Sequence, residues 1–311
     1  MNKRFLPLIT LALIISGLLG IMGLSIGFAN PPALPIKPAD APKTAAIKPV
    51  AAKPAAKLNL PFEEVEITTK DNFNLMGRLY DQTQRGDDEE AAEAPKTKFP
   101  LVILLHGLGG NSGDWGTLPY DLVTSGYAVF AMDVRGHGQS IWTARKRRLT
   151  WRVFEDKDWN AIPKDVYEVI TYFKEGAEDY PQVNPNQVVI MGTSMGANAA
   201  LIAGSNISSR IPGAVKSVVL ISANSGFRSL KTTDAAITYK GPLFVSASQG
   251  DPKTFRDSQA IYRWALGAKA LKLYKSPEIG MMLLKSQPDL QAAIVAWIKR
   301  QMPALSPAAK K

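Results

Sequence analysis

A chain of 311 residues with 46% hydrophobic content can bury one sizeable core, which points to a single globular domain. The absence of cysteine excludes disulfides, thiolate metal sites, a cysteine nucleophile and cysteine lipidation. The net charge of +10 is a weak argument for a nucleic-acid binder, because residues 1–57 hold seven Lys/Arg against Asp40 alone and leave only +4 for residues 58–311.

The first 29 residues begin Met-Asn-Lys-Arg and continue as an uncharged apolar stretch from Phe5 to Ala29 that ends in the small-x-small pattern Gly27-Phe28-Ala29. They read as a signal peptide or, since the stretch reaches the roughly 20 residues that span a bilayer, as an uncleaved N-terminal membrane anchor. Lys3 and Arg4 hold that end in the cytoplasm under either reading. The expected location is therefore exported: periplasmic or otherwise extracytoplasmic, secreted or anchored in the inner membrane. Residues 30–57 are mostly proline, alanine and lysine, a composition that suits a solvated linker and leaves 58–311 as the folded domain.

Phe62–Lys70 and Phe73–Tyr80, joined at Asp71-Asn72, read as an antiparallel hairpin, and the acidic residues 83–98 as an exposed loop. Strands and helices then alternate. Strands are expected at Pro100–Leu105, Tyr127–Met132, Gln187–Met191, Ala214–Ile221, Pro242–Ser246 and Ala270–Tyr274. Helices are expected at Leu118–Ser125, Lys164–Glu175, Met195–Ser205, Thr254–Leu266 and Leu290–Met302. Short apolar runs alternating with helices imply a doubly wound, mostly parallel sheet of about eight strands, with chemistry beyond the strands' carboxyl ends. Between Ser222 and Pro242 there is room for little or no cap, whereas 141–163, with Trp142, Trp151, Phe154 and Trp159, is placed to roof the site or simply to pack. Its cluster Arg145-Lys146-Arg147-Arg148 is either a solvated face or a contact for phosphate, anionic lipid or an acidic substrate.

Three segments carry candidate chemistry. Gly192-Thr193-Ser194-Met195-Gly196 lies between a strand and a helix, where glycines on either side let Ser194 project from a sharp turn beside the helix N-terminus. His106-Gly107-Leu108-Gly109-Gly110-Asn111 follows the strand ending at Leu105; its glycines let backbone approach a substrate, so His106, Gly107 and Gly109 are expected to line the pocket. The N–H groups of Leu108 and Met195 are the expected oxyanion donors. Asp133-Val134-Arg135-Gly136-His137-Gly138-Gln139-Ser140 follows the next strand. With two lone histidines and no His/Asp/Glu run at ligand spacing, no metal or cofactor is expected.

In their order and context these motifs resemble the α/β-hydrolase family, in its dienelactone-hydrolase-like and serine-peptidase or lipase-like branch, from about Phe62 to Met302. The resemblance implies the α/β-hydrolase fold, Ser194 as nucleophile, Asp251 as triad acid with Asp257 a poorer match, and scaffold roles for His106 and His137. It also implies a triad histidine after the last strand, where this chain reads Lys275-Ser276-Pro277-Glu278-Ile279-Gly280 and holds Ile279 instead. No histidine follows His137. Two readings stay open: an esterase-like serine hydrolase with a nonstandard base, Glu278 or Lys275, acting on a small ester- or amide-like substrate; or a catalytically silent hydrolase fold that binds a ligand or partner. In either case turnover is expected to be weak or absent.

Overall fold

The computed structural model describes residues 61–82 and 98–303. The expected signal or anchor, the linker and all but the last residue of the acidic 83–98 segment lie outside the described residues. The order is β1 (Glu63–Thr68), β2 (Phe73–Tyr80), β3 (Phe99–Leu105), α1 (Leu118–Thr124), β4 (Ala128–Met132), β5 (Trp142–Thr143), α2 (Asp156–Glu175), β6 (Val183–Thr193) and α3 (Met195–Arg210). It continues with β7 (Val215–Ile221), β8 (Gly226–Phe227), β9 (Leu230–Lys231), α4 (Thr233–Thr238), β10 (Leu243–Ser248), α5 (Pro252–Trp264), β11 (Lys269–Tyr274), α6 (Gly280–Ser286) and α7 (Pro288–Gln301).

Eight strands run in the order β1-β2-β4-β3-β6-β7-β10-β11, with two-residue β5 paired to β2. The hairpin β1–β2 and the β2–β4 pairing are antiparallel; from β4 to β11 the strands are parallel. This is the expected doubly wound, mostly parallel sheet. Its parallel strands read as solid apolar runs because both faces are covered. One face packs Ile103, Phe130 and Ile190 against Val166, Ile170 and Phe173 of α2 and Leu201 of α3. The other packs Val102, Val129 and Met191 against Leu122 of α1 and Ile294 and Trp297 of α7. Every buried apolar residue of the described chain lies between Val65 and Met302, so the compact unit Ala55–Lys311 closes its own core.

Helix α2 starts eight residues before the expected Lys164. Pro163 lies inside it and lacks the N–H that would reach back to Trp159. The helix nevertheless begins at Asp156, where an Asp158 carboxylate oxygen accepts the Glu155 N–H at 2.9 Å. The short helices α4 and α6 and the small strands β5, β8 and β9 carried no periodic signal. Among the described residues no helix is long and apolar enough to cross a membrane.

Candidate active site

Ser194 stands alone between β6 and α3 with φ 51° and ψ −117°, a conformation that L-residues other than glycine rarely adopt. Its N–H donates to the Ile221 carbonyl at 2.8 Å, and its own carbonyl accepts the N–H groups of Ala197 and Asn198 at 3.0 and 3.2 Å. The backbone thus caps the helix while the hydroxyl is left half-buried at the positive end of the α3 dipole. Gly107 lies beside it: a Cβ built there would be 3.4 Å from Ser194 Cβ. The Gly107 carbonyl accepts the Gly110 N–H at 3.1 Å, which leaves Leu108 and Gly109 at the corners of the turn. Neither the Leu108 nor the Met195 N–H donates to an acceptor of the described residues, so both amides are free.

Both histidines are locked in the scaffold. His106 Nε2 accepts the Val134 N–H at 2.9 Å, so the ring proton sits on Nδ1 and is donated to the Gly107 carbonyl at 2.7 Å. His137 Nδ1 lies 2.9 Å from the Arg135 carbonyl, which can only accept, while its Nε2 is buried without a partner. The two rings meet edge to face at 5.2 Å, and His137 stacks on Trp151 at 5.7 Å. Burial lowers the pKa of both, that of His106 to about 4.

A depressed histidine pKa contributes stability at neutral pH that is lost as pH falls from the unfolded-state value of 6.5 through about 4, because the unfolded chain takes up the proton first. Urea titrations from pH 7 to 4 should therefore show a loss of about 3 kcal/mol from this group. In His106→Asn that share of the slope should vanish. An unchanged slope would place the titration elsewhere.

The segment after β11 decides what Ser194 faces. Ile279 is the N-cap of α6, extended (φ −128°) and 40% exposed. Gly280 follows with φ 54°, and a Cβ at this position would overlap Ser194 Oγ. The Gly280 N–H donates to Ser222 Oγ at 2.8 Å, and the Ser248 hydroxyl donates to the Glu278 carbonyl. These two buried serines, at the carboxyl ends of β7 and β10, clamp Glu278–Gly280 beside Ser194. Sequence reasoning missed both. Ser222 follows the apolar run Val218–Ile221 and Ser248 lies two residues beyond the expected strand end at Ser246, but nothing at either position signals what its hydroxyl holds. Lys275 is exposed and Glu278 half-buried, and no side chain of the described residues hydrogen-bonds to Ser194 Oγ.

The profile of the serine aminopeptidase S33 family matches residues 97–263, more than half of the chain, and that of a partial α/β-hydrolase lipase region matches residues 52–118. The chain belongs to the serine aminopeptidase S33 family of α/β-hydrolases. It is 31% identical over 83 residues to lysophosphatidylserine lipase ABHD12 of Xenopus tropicalis, covering 26% of this chain and 22% of the lipase. It is 32% identical over 108 residues to the quorum-quenching protein AidA of Acinetobacter baumannii, covering 34% of this chain and 31% of AidA. The chain thus spans at most about a third of the length of these two relatives. An esterase of Pyrococcus furiosus superposes with a TM-score of 0.60 at 19% identity, covering 79% of this chain and 92% of the esterase. The dienelactone hydrolase of Anabaena variabilis gives 0.56 at 14% identity, covering 77% and 98%. At these identities the likeness to solved structures is one of fold.

In this α/β-hydrolase the two candidate acids serve α5 and its neighbours. Asp251 is the N-cap of α5, accepting the Lys253 N–H at 2.9 Å and the Thr254 hydroxyl at 2.6 Å; the Thr254 hydrogen bond holds its pKa below the usual carboxylate range. Asp257 accepts the Ser225 N–H and hydroxyl and the Lys253 ammonium at 2.9, 2.8 and 2.6 Å. Burial pushes its pKa up, and the Lys253 and Ser225 bonds outweigh this and lower it. The Asp251 loop does adjoin the Ile279 segment, since a Cβ on Gly250 would overlap the Pro277 backbone. Of the aromatics in 141–163, Phe154 and Trp159 form an edge-to-face chain with Phe227 of β8 at 5.0 and 5.5 Å and Trp151 stacks on His137, which is packing; Trp142 stands 45% exposed. Among the described residues no group of His, Asp and Glu has the arrangement of a metal site.

Proposed function

We propose that this α/β-hydrolase domain takes a small ester- or amide-like ligand in the cell envelope at a site with oxyanion donors and a serine but no base, so that turnover is weak or absent. The observation that carries this reading is that Gly280, with no titratable side chain, lies against Ser194 Oγ, and that no side chain of the described residues hydrogen-bonds to that oxygen. Leu108 and Met195 supply two free amides, suited to a carbonyl oxygen. Leu108, Ile279 and Met282 are 42%, 40% and 53% exposed; the first two adjoin the glycines that touch Ser194, and they suit an apolar acyl group. Loss of a triad histidine costs about 10⁶ in rate and leaves about 10³–10⁴ over water from binding and the oxyanion donors. The envelope location rests on Lys3, Arg4 and the apolar run Phe5–Ala29.

The second reading, an esterase-like serine hydrolase with Ser194 as nucleophile, Asp251 as acid and Glu278 or Lys275 as an unusual base, is favoured by one observation. Ser194 retains a strained conformation that costs about 1–3 kcal/mol and that a silent protein has no need to keep. Acyl-ester turnover by Ala55–Lys311 separates the two. Rates for wild type and Ser194→Ala that agree within a few-fold support the first reading. A wild-type rate about 10³-fold or more above that of Ser194→Ala overturns it, and loss of that rate in Glu278→Gln or Lys275→Met then identifies the base.

A further inference from the structure

Between Asp133 and Glu155 the chain carries six cations and no acid: Arg135, Arg145, Lys146, Arg147, Arg148 and Arg152. Arg135 is buried and paired. The four cations from Arg145 to Arg148 are exposed, and none makes an ion pair with a described residue. A rigid hairpin carries them. The Thr143 N–H donates to the Arg147 carbonyl at 3.0 Å, the Lys146 N–H returns to the Thr143 carbonyl at 2.8 Å, and Trp142 bridges to Arg148. Pairing of Phe73 with Thr143 and Asn74 with Trp142, together with the Ala144 N–H to Asn72 carbonyl bond of 2.9 Å, bolts the hairpin to β2.

The tip turns at Lys146 with φ 58°, a conformation unfavourable for lysine. Of the nearby acids, Glu155 is bound by Lys157, Asp71 shares Arg135 with Asp165, and Glu66 accepts from the neutral amide of Asn74. Asp71 and Glu66 thus offset only part of the charge of the four cations from Arg145 to Arg148, and the tip stays net positive. Trp142 projects from the hairpin's base, and Arg152 lies 4.6 Å above the ring of Trp151 beside Val153, which is 66% exposed.

Unpaired guanidinium groups next to an exposed indole and an exposed aliphatic side chain match a surface that offers phosphates at one depth and hydrocarbon just below. We propose that the hairpin Trp142–Arg148 docks on the phosphate layer of an anionic lipid bilayer, with Trp142 at the headgroup level. A bilayer is favoured over other polyanions by the indole and by the chain's own apolar run, Phe5–Ala29, followed by a lysine-containing linker. Because β2 lies three strands from β6, about 14 Å, and its Phe73 end is on the carboxyl side of the parallel strands, docking would bring the Ser194 end of the sheet to the membrane.

The test is sedimentation of Ala55–Lys311 with phosphatidylcholine vesicles and with vesicles containing phosphatidylglycerol. Binding to the anionic vesicles alone, weakened by salt, is expected. Each of Arg145→Ala and Arg147→Ala should weaken it about fivefold, and both together about 25-fold, from roughly 1 kcal/mol per cation near the surface. Lys174→Ala and Lys299→Ala, exposed cations near the carboxyl ends of α2 and α7, should leave it unchanged. Equal binding to neutral vesicles, unaltered binding by the double variant, or equal loss in the two control variants would overturn the proposal. So would release by inorganic phosphate beyond that caused by sodium chloride at equal ionic strength, which would mean a site for free phosphate. Equal affinity for a short DNA duplex would likewise replace the bilayer with a general polyanion.

Discussion

Asp165→Ala is expected to lower the unfolding free energy by about 3–5 kcal/mol, measured by urea titration at pH 7. Asp165, on the buried face of α2, is 1% exposed and accepts Arg135 Nε at 2.9 Å and Nη2 at 2.6 Å. The same guanidinium grips the Asp71 carboxylate at 2.8 and 2.9 Å and lies 4.4 Å above the ring of Phe73. One side chain from the turn after β4 therefore ties α2 to the β1–β2 turn. Without Asp165 the guanidinium stays buried with only the half-exposed Asp71 as counter-ion, and an uncompensated buried charge is what makes such truncations costly. Removing both charges as Arg135→Met with Asp165→Leu should recover most of the loss, because apolar groups of similar volume need no desolvated partner. A single substitution costing under about 1 kcal/mol would show that Asp71 and water satisfy the arginine.

Gly196→Ala is expected to cost about 3 kcal/mol or more and to abolish the Ser194 turn. A Cβ at this position would overlap the carbonyls of Leu105 and His106, the backbone that leads into the Gly107–Gly110 turn. Neither is a flexible side-chain end, so the clash can be relieved only by separating α3 from β3. Gly107→Ala is the contrast: its Cβ would meet Ser194 and Thr193 at ordinary distances of 3.4–3.5 Å, so stability should change by less than about 1 kcal/mol. Any effect of Gly107→Ala would fall on ligand access beside the serine. Urea titration of the pair, with equal losses in both, would show that the close approach at Gly196 is not what holds the turn.

The strands were legible because those buried on both faces leave unbroken apolar runs, as in Leu101–Leu105 and Val218–Ile221. The Ser194 turn was legible because glycines two residues to either side have a steric reason to be there. Helix α2 was half-read, since Pro163 suggests a start where the chain is already helical. The clamp by Ser222 and Ser248 was not legible at all: a hydroxyl that holds a turn from another strand has no periodicity, and its meaning depends on what tertiary structure brings to it. The segment around Ile279 lies between these cases. Absence of a late histidine is plain in the sequence; that Gly280 backbone then lies on the serine is visible only in the fold.

The most direct test of an unactivated serine is the rate of fluorophosphonate labelling of wild type, Ser194→Ala and Ile279→His. An unactivated hydroxyl predicts that wild type labels no faster than Ser194→Ala. Rapid, stoichiometric labelling of wild type that vanishes in Ser194→Ala would contradict the account and require a base among the residues around Gly280.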